Sequence, residues 1–425
     1  MISIIGNPLR FFQSCGTPPQ MPPQHPADPA GVRDNTPQVH TAFWRDKCTI
    51  SYILLLTMIA CAAIAWPKCN YDGVFYTALT YRTSDAKVLH DAGMQFYQRQ
   101  PDDGVGPYRE DMLQNPYHFK EQLPFYSVKP LYVFVLTLAR RSGIGWRSGA
   151  FISGVCYLLL GWIVLLWLRK YYSSLATGTL ASIMMLNPSL LQITRWTSPD
   201  IMAILATVAG TYVILENEMP IRGIMILAVG IWIRPETIIY TGLVVCAVYL
   251  NGRLRILGAV AFLALALGSY LYITRNGYSY STLFYHTFIE ELTAPAEVKV
   301  IVTKSTYLTV LKHSVQSLCQ GNPTLCLSFL ACAINYVIMP KQGLYALLSV
   351  LGIVSSIILY VAHPHFEPRY YLSQLVFIPV LVVLVQAGKM LNEPLVTGRR
   401  LETSGNPIAL EVRHDINHVH GRVAN

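Results

Sequence analysis

Seven long stretches without a charged side chain constrain this sequence more than any other feature. Each runs about 19 residues or more without Asp, Glu, Lys or Arg, which is the length that an α-helix needs to cross the hydrocarbon core of a bilayer. The stretches are 48–67, 148–168, 171–194, 256–274, 313–340, 342–366 and 370–388. A transmembrane β-barrel is excluded, because barrel strands alternate apolar and polar residues whereas these stretches are continuously apolar. The sequence therefore predicts an all-α polytopic membrane protein.

The composition supports this class and excludes a soluble enzyme. Hydrophobic residues make up 53% of the chain and charged residues only 13%, so the apolar surface exceeds what a soluble core of this length would bury. Lys and Arg number 32 against 23 Asp and Glu, but no basic run or aromatic-basic platform indicates nucleic acid. Basic loops on the cytoplasmic side explain the excess. The expected environment is membrane lipid, and no nucleic-acid partner is expected.

About ten transmembrane helices are predicted, with both termini in the cytoplasm. Residues 131–139 are apolar but too short to cross, and they are predicted to lie at the membrane interface. If this segment does not cross, the basic pairs Arg169/Lys170 and Arg253/Arg255 fall on the cytoplasmic side, as the positive-inside rule requires. The ten predicted helices are 49–66, 149–168, 174–192, 201–216, 220–233, 237–250, 256–274, 322–339, 343–362 and 370–388.

The chain is predicted to divide into a leader, a transmembrane domain and a tail. Residues 1–47 are rich in proline and poor in apolar residues, which predicts a disordered cytoplasmic leader. The transmembrane domain covers 48–390, and 391–425 form a cytoplasmic tail. Two long segments of the domain are predicted to be extracytoplasmic. The first loop, 67–148, is predicted to be folded and to contain juxtamembrane helices, and the second is 275–321.

Three short loops on the predicted extracytoplasmic side each contain a basic and an acidic residue next to a proline. Inside loops contain no comparable pattern. A proline breaks the helix end and leaves backbone groups and charges facing a common cavity. Charged residues at membrane depth are costly and indicate function by default, although three loop salt bridges in water are the alternative. The couples are Arg195 with Asp200 in TRWTSPD, Arg234 with Glu236 in WIRPETI, and Glu367 with Arg369 in HPHFEPRYY.

Asp72 and Lys129 add a carboxylate and an amine to the same side. Asp72 lies in NYDGVFYTALTY just beyond the first helix, where it can hold a hydroxyl group and take its proton, with a pKa modestly raised by partial desolvation. Its structural alternative is to cap the short helix that follows. Lys129 precedes Pro130 in PFYSVKPLYVF, a position that suits a phosphate near headgroup level. A snorkelling lysine would look the same.

Two further polar clusters leave their role open. His363 and His365 in AHPHFEP, with Glu367, form the most metal-like cluster of the chain, but alternating histidines share a zinc ion only in an extended segment. Binding of the donor through His365 is the favoured reading, beside a plain polar loop. His286 and Glu290 in YHTFIEE lie one helical turn apart, and a satisfied loop histidine is favoured over a sugar-pocket residue.

With these residues in place, the chain resembles the GT-C superfamily of polytopic glycosyltransferases, which use lipid-linked sugar donors. The resemblance rests on YDGVFY after the first helix, on KPLY at the entry to a juxtamembrane helix, and on the later SPD, RPE and PRYY loops. KPLY looks like the KPPLYYW-type element of the aminoarabinose transferase and its relatives. The first loop lacks the adjacent acidic pair of the protein O-mannosyltransferases. No C-terminal soluble domain like that of the oligosaccharyltransferases follows the last predicted helix.

The resemblance implies an inverting glycosyltransferase that takes its sugar from a polyprenyl-phosphate donor. It assigns Asp72 as base and Asp200 as a catalytic or supporting acid. Lys129, Arg234 and Arg369 would hold the donor phosphate. Arg195, Glu236 and His365 complete the predicted substrate-binding set.

The acceptor would be a glycan or lipid hydroxyl, reached from the extracytoplasmic face of a bacterial inner membrane as part of cell-envelope synthesis. No cofactor is expected, and a divalent metal is not indicated. A transporter or flippase of lipid-linked saccharides is the rival from another class, but it would need charges spread through the membrane midplane. A lipid-linked polysaccharide polymerase is a third reading, which would use a glycan donor.

Overall fold

A computed structural model describes residues 46–68, 70–99, 107–298, 300–319, 343–364 and 367–392. Within these ranges every regular element is a helix and no strand occurs. The predicted leader up to residue 45, the predicted helix 322–339 and most of the tail lie outside the described residues.

The first part of the chain forms one long apolar helix followed by five shorter ones. They are α1 (Lys47–Ala65), α2 (Tyr71–Leu79), α3 (Ala86–Tyr97), α4 (Pro107–Gln114), α5 (Pro116–Ser127) and α6 (Pro130–Ala139). Side-chain caps begin α3 and α5, because Asp85 and Asn115 each accept hydrogen bonds from two backbone N–H groups of the first turn.

The middle of the chain contains most of the apolar helices. They are α7 (Ser148–Arg169), α8 (Ser174–Met185), α9 (Pro188–Thr194), α10 (Asp200–Glu216), α11 (Pro220–Ile233), α12 (Ile238–Leu250) and α13 (Ile256–Thr274). The link between α6 and α7 is helical too, but it turns at Gly143 and Gly145, whose φ angles are +93° and +67°. Only glycine adopts such angles without steric cost.

The last part of the described chain adds two helices of the second loop, two apolar helices and a single helical turn between them. They are α14 (Tyr280–Phe288), α15 (Lys304–Cys319), α16 (Gly343–Ala362), the single turn α17 (Pro368–Tyr371) and α18 (Ile378–Asn392). A π-helical turn, Leu372–Phe377, joins α17 to α18. Such turns are rare in proteins overall, but they occur frequently at functional sites.

Five helical segments are long and apolar enough to cross a membrane: Lys47–Ala65, Pro130–Arg169, Ile256–Thr274, Gly343–Ala362 and Arg369–Asn392. A bent pair of helices makes a sixth candidate, and α11 and α12 are shorter apolar helices. This is the architecture of an α-helical polytopic membrane protein. The count of ten spans and their orientation stay predictions, as does the interfacial position of 131–139, which forms the ten-residue helix α6.

The predicted continuous helix 174–192 is wrong. The structure divides it into α8 and α9, which meet at an angle of 66°. Pro188 has no N–H to donate and disfavours the α-helical conformation at the residue before it. Asn187 instead caps the new helix, because its side-chain oxygen accepts hydrogen bonds from the N–H groups of Ser189 and Leu190. The bend directs α9 toward Arg195 and the loop that precedes α10.

The helices α1 and α7 pack against each other in opposite directions. Tyr52 of α1 donates a hydrogen bond to the carbonyl of Gly161 at 3.0 Å, and Arg169 at the end of α7 donates to Thr49 Oγ1 at 2.8 Å. A Cβ on Gly161 would lie 2.3 Å from Leu56 Cδ1, so glycine permits this close approach. We call the end of the bundle where α1 ends and α7 begins the site end, and the other the opposite end.

The first loop folds into helices that share a hydrophobic core at the site end. Its core joins Val74, Phe75, Ala78, Leu89, Phe96, Phe119 and Leu123 from α2, α3 and α5. The ring of Phe75 stacks on Phe119 and on Tyr126 at centroid distances of 4.8 and 4.5 Å. Arg140, just after α6, donates to the carbonyl of Thr77 at 3.1 Å and so satisfies the end of α2.

The opposite end contains a buried carboxylate cluster that the sequence did not predict. The side chain of Glu216 is 4% exposed. It accepts hydrogen bonds from Trp167 Nε1 at 2.8 Å, from the Tyr171 hydroxyl at 2.7 Å and from the Tyr345 hydroxyl at 2.9 Å, and Lys170 Nζ lies 3.4 Å away. Glu216 of α10 accepts hydrogen bonds from α7, from the turn after α7 and from α16, so its carboxylate joins these three helices.

Glu216→Gln is expected to lower the free energy of unfolding by about 2 kcal/mol, because hydrogen bonds to a charged acceptor are lost and the new amide group faces donors. The midpoint of thermal unfolding in detergent measures the effect. Glu218→Gln is the matched control, since Glu218 is exposed two residues away. Equal midpoints for the two variants would show that Glu216 does not hold the helices together.

Candidate functional site

Helix ends bring the predicted charged residues together at the site end. Asp72 lies in the first turn of α2, Asp200 begins α10, and Arg369 lies in α17. Arg234 ends α11 with an extended backbone, φ −147° and ψ 110°, as expected for a residue before proline. Pro199 and Pro368 lie at the start of α10 and α17, and Pro235 follows the end of α11. Each of these helix ends contributes a charged side chain to the site.

The centre of this cluster is the ion pair between Asp200 and Arg234. Arg234 Nη1 lies 2.5 Å from Asp200 Oδ1, and the two side chains are 9% and 3% exposed. Asp200 also benefits from its place in the first turn of α10, where the helix dipole favours a negative charge. Arg234 Nε lies 3.5 Å from Glu236 Oε2, which confirms the predicted couple between those residues.

Arg369 extends the pair into a network that reaches the first loop. Its Nη1 lies 2.7 Å from Asp72 Oδ2 and 3.9 Å from Asp200 Oδ2, and its Nε lies 2.7 Å from Glu367 Oε1. The predicted couple of Glu367 with Arg369 is therefore confirmed as well. The guanidinium of Arg369 thus contacts carboxylates from three separate parts of the chain.

Aromatic rings lie against the faces of both arginines. The guanidinium carbon of Arg234 lies 4.4 Å from the ring centroid of Tyr370, and that of Arg369 lies 5.0 Å from the same ring. Trp196 contacts Arg369 at 5.5 Å from its ring centroid. The ring of Tyr370 therefore contacts both cations, and such contacts stabilise the planar guanidinium where water is excluded.

Lys129 is the third cation of the cluster. Its Nζ lies over the rings of Tyr76 and Tyr126, at 5.3 and 5.7 Å from their centroids. Within the described part of the chain, no carboxylate lies within ion-pair distance of this ammonium. Burial lowers the pKa of Lys129, although Glu236, Asp72 and Asp200 act against that effect. Lys129 is thus the cation of the cluster that is not held by a carboxylate.

The predicted state of Asp72 is wrong in two respects. Burial alone would raise its pKa, but the charges of Arg369 and Lys129 outweigh burial and hold the pKa of Asp72 below its ordinary value. Asp72 is therefore an ionised, paired carboxylate, and the predicted raised pKa is wrong. The alternative capping role is also wrong, because Asn70 occupies the N-cap position of α2 and Asp72 lies in the first turn.

Several buried polar atoms next to these charges make no hydrogen bond within the structure. They are Trp196 Nε1, Ser198 Oγ and the hydroxyl of Tyr132. A buried polar group without a partner costs free energy, and native proteins satisfy nearly all such groups with protein, water or ligand. Three neutral groups of this kind beside a charged cluster can donate hydrogen bonds to water or to a bound molecule.

Among the predicted site residues that the structure describes, Arg195 does not join the cluster. Arg195 is not the partner of Asp200, because its Nε donates to the carbonyl of Trp66 at 2.9 Å on an exposed surface. The predicted couple within TRWTSPD is therefore wrong, since the bend at Pro188 places Arg195 beside α1 while Asp200 faces Arg234. His365 lies outside the described residues. Asp72, Lys129, Asp200, Arg234, Glu236 and Arg369 are brought together, and Arg195 is not.

The structure adds residues that the sequence analysis missed. Trp196 and Ser198 shortly precede the predicted Asp200 in the chain. Tyr126 donates a hydrogen bond to Asp72 Oδ1 at 3.4 Å. Tyr132 and Tyr370 complete the aromatic surroundings. Their signal in the sequence was proximity to a predicted residue, but aromatic residues are frequent in membrane helices and do not by themselves indicate a site.

The remaining polar candidates of the second loop are structural. His286 Nδ1 accepts a hydrogen bond from the N–H of Leu292 at 2.9 Å, and its ring stacks on Phe125 at 4.8 Å. Burial lowers the pKa of His286 to about 4. This confirms the satisfied loop histidine. In the same region Gln122 donates to the carbonyls of Leu292 and Thr293 at 2.9 and 3.1 Å, which fastens the second loop to the first.

No group of three or more metal-ligand side chains forms among the residues that the structure describes. Comparison with known proteins adds no relationship: no family model, no curated protein and no solved structure matches the chain. The resemblance to the GT-C superfamily therefore stays a prediction from the sequence motifs.

Asp200→Asn is expected to lower the free energy of unfolding by about 3 kcal/mol, because it leaves the buried charge of Arg234 without its main partner. The thermal midpoint of the purified chain in detergent measures the effect. Asp91→Asn is the matched control, because the side chain of Asp91 is 58% exposed. A midpoint like that of the control would mean that the pair contributes nothing to stability.

Gly149→Ala is expected to displace the loop that positions Trp196 and Ser198. A Cβ at Gly149 would lie 2.3 Å from Thr197 Oγ1 and 2.6 Å from Thr197 Cβ. Overpacking of this kind costs about 1–3 kcal/mol, which thermal unfolding would measure. In Gly178→Ala the new Cβ would lie 3.8 Å from its nearest neighbour, so this control should keep or gain stability. Equal stability of the two variants would show that the close contact between Gly149 and Thr197 does not require glycine.

Proposed function

We propose that the chain is a membrane glycosyltransferase that moves a sugar from a polyprenyl-phosphate donor to an acceptor hydroxyl. One observation carries the proposal: three cations, Arg234, Arg369 and Lys129, lie in one cluster with buried carboxylates, beside buried hydrogen-bond donors that have no partner. Cations suit the phosphate of such a donor, and unpartnered donors suit hydroxyl-rich or phosphate ligands. The sequence motifs that resemble the GT-C superfamily point to the same activity.

The reaction would be a single displacement with inversion at the anomeric carbon. The acceptor oxygen would form a bond to that carbon while the bond between carbon and phosphate oxygen breaks. The phosphate would leave with the electron pair, and Arg369, Arg234 and Lys129 would stabilise its developing charge. Asp72 would orient the acceptor hydroxyl and accept its proton. Asp200 would support the reaction by holding Arg234 in place.

The active site would face the extracytoplasmic side of a bacterial inner membrane, the acceptor would be a glycan or lipid, and the donor tail would lie among the helices. The main rival is a transporter of lipid-linked saccharides. The described cluster lies at helix ends, and four of the five long apolar spans, all except Pro130–Arg169, have no Asp, Glu, Lys or Arg near their midpoints, which favours the enzyme. A polymerase would share this arrangement and differ in using a glycan donor.

Asp72→Asn is expected to reduce sugar transfer by at least about 100-fold, the usual contribution of a general base. The purified chain would be offered a panel of polyprenyl-phosphate sugars with candidate acceptors, and mass spectrometry would follow the release of polyprenyl phosphate. Asp91→Asn is the control for loss of one carboxylate from the same loop.

The same assay separates the alternatives. Turnover by Asp72→Asn at the wild-type rate would remove Asp72 from the mechanism. Saturable donor binding without turnover by any variant would favour the transporter. Lys129→Ala should weaken donor binding first, and an effect confined to acceptor use would contradict its place at the phosphate.

A further inference from the structure

The guanidinium of Arg369 is already occupied in the structure. Its Nη1 lies 2.7 Å from Asp72 Oδ2 and 3.9 Å from Asp200 Oδ2, and its Nε lies 2.7 Å from Glu367 Oε1. The rings of Trp196 and Tyr370 lie against the same group. Nη2 donates to the Tyr370 hydroxyl at 3.3 Å. A phosphate that binds Nη1 and Nη2 together, in the bidentate manner, can therefore do so only if the carboxylate on Nη1 moves away.

The three carboxylates differ in how firmly they are held. Asp200 is 3% exposed and has its own bond to Arg234 at 2.5 Å, so it has a partner that fixes its position. Glu367 lies two residues before Arg369 and belongs to the same turn of the chain. Asp72 comes from a separate element, and its other hydrogen bond, from Tyr126, is long at 3.4 Å. Its side chain is 26% exposed, far more than Asp200 and about as much as Glu367. Asp72 is the carboxylate that can leave at least cost.

We infer that Asp72 acts as a latch on Arg369, and that the phosphate of the donor displaces it. The inference rests on the proposed function and adds an order of events to it. A phosphate oxygen would take the position of Asp72 Oδ2 on Nη1. The freed carboxylate would then be available to bind the acceptor hydroxyl. The donor would bind before the acceptor, and the site without donor would keep its acceptor-binding carboxylate occupied.

Competition of this kind makes a counterintuitive prediction: loss of the proposed catalytic carboxylate should strengthen phosphate binding. The probe is hexadecyl phosphate, offered to the purified full chain in a detergent with an uncharged headgroup, and microscale thermophoresis gives the dissociation constant. Asp72→Asn should bind the probe more tightly than wild type, on the order of fivefold, the value of a partly exposed ion pair. Asp72→Ser, a second variant, should show the same direction. Arg369→Gln should lose most of the binding.

A matched control separates competition from a general change in charge. Glu236→Gln removes one negative charge from the same cluster, but Glu236 pairs with Arg234 and not with Arg369. Its gain in affinity should therefore be clearly smaller than that of Asp72→Asn. Equal gains would overturn the latch, because they would reflect the field of the cluster alone.

The outcomes also distinguish the latch from the proposed function. Unchanged or weaker binding by both Asp72 variants, with loss of binding in Arg369→Gln, would overturn the latch and leave the phosphate site standing. Binding that does not depend on Arg369 in any variant would overturn the phosphate site, and the latch with it. Tighter binding by both Asp72 variants, with the smaller gain in Glu236→Gln, would support the latch.

Discussion

The arrangement at the site end depends on one constraint: two arginines and the carboxylates that neutralise them are held where water is largely excluded. Asp200 and Arg234 form the centre, and Arg369 ties them to Asp72 in the first loop. Removing charges from water costs several kcal/mol per ion unless each is paired with good geometry. The ends of α2, α10, α11 and α17 must therefore meet at one place. Pro199, Pro235 and Pro368 lie at the ends of α10, α11 and α17 that meet there.

The two ends of the bundle solve the problem of a buried carboxylate in different ways. Glu216 at the opposite end is surrounded by two hydroxyls, an indole N–H and a lysine, so its oxygens are satisfied within the protein. At the site end, Trp196 Nε1, Ser198 Oγ and the Tyr132 hydroxyl stay without a partner. A satisfied cluster fastens helices together, whereas an unsatisfied one keeps binding capacity. The Glu216 cluster is therefore a structural contact between helices, whereas the cluster at the site end is the one on which the proposed function rests.

Close packing of small residues makes the site geometry rigid. Thr197 lies between α2 and α7, where Gly73 and Gly149 leave room for its side chain. The backbone on either side of Thr197 carries Trp196 and Ser198, and Ser153 donates to the carbonyl of Trp196 at 3.0 Å. The loop before α10 is thereby fixed to α7, and the unpartnered donors are fixed with it. Donors that are already held in place lose little conformational freedom when a ligand binds.

The sequence by itself determined the all-helical membrane architecture and most helix bounds, including 220–233, 256–274 and 343–362, because charge-free intervals and prolines act locally. It also identified six charged residues that meet at the site, since a charged residue at a helix end in a membrane is costly and needs a reason. Only the tertiary structure decided how these residues pair. Arg234 rather than Arg195 binds Asp200, and Arg369 lowers the pKa of Asp72, because partners and local fields depend on contacts between residues that lie far apart in the chain.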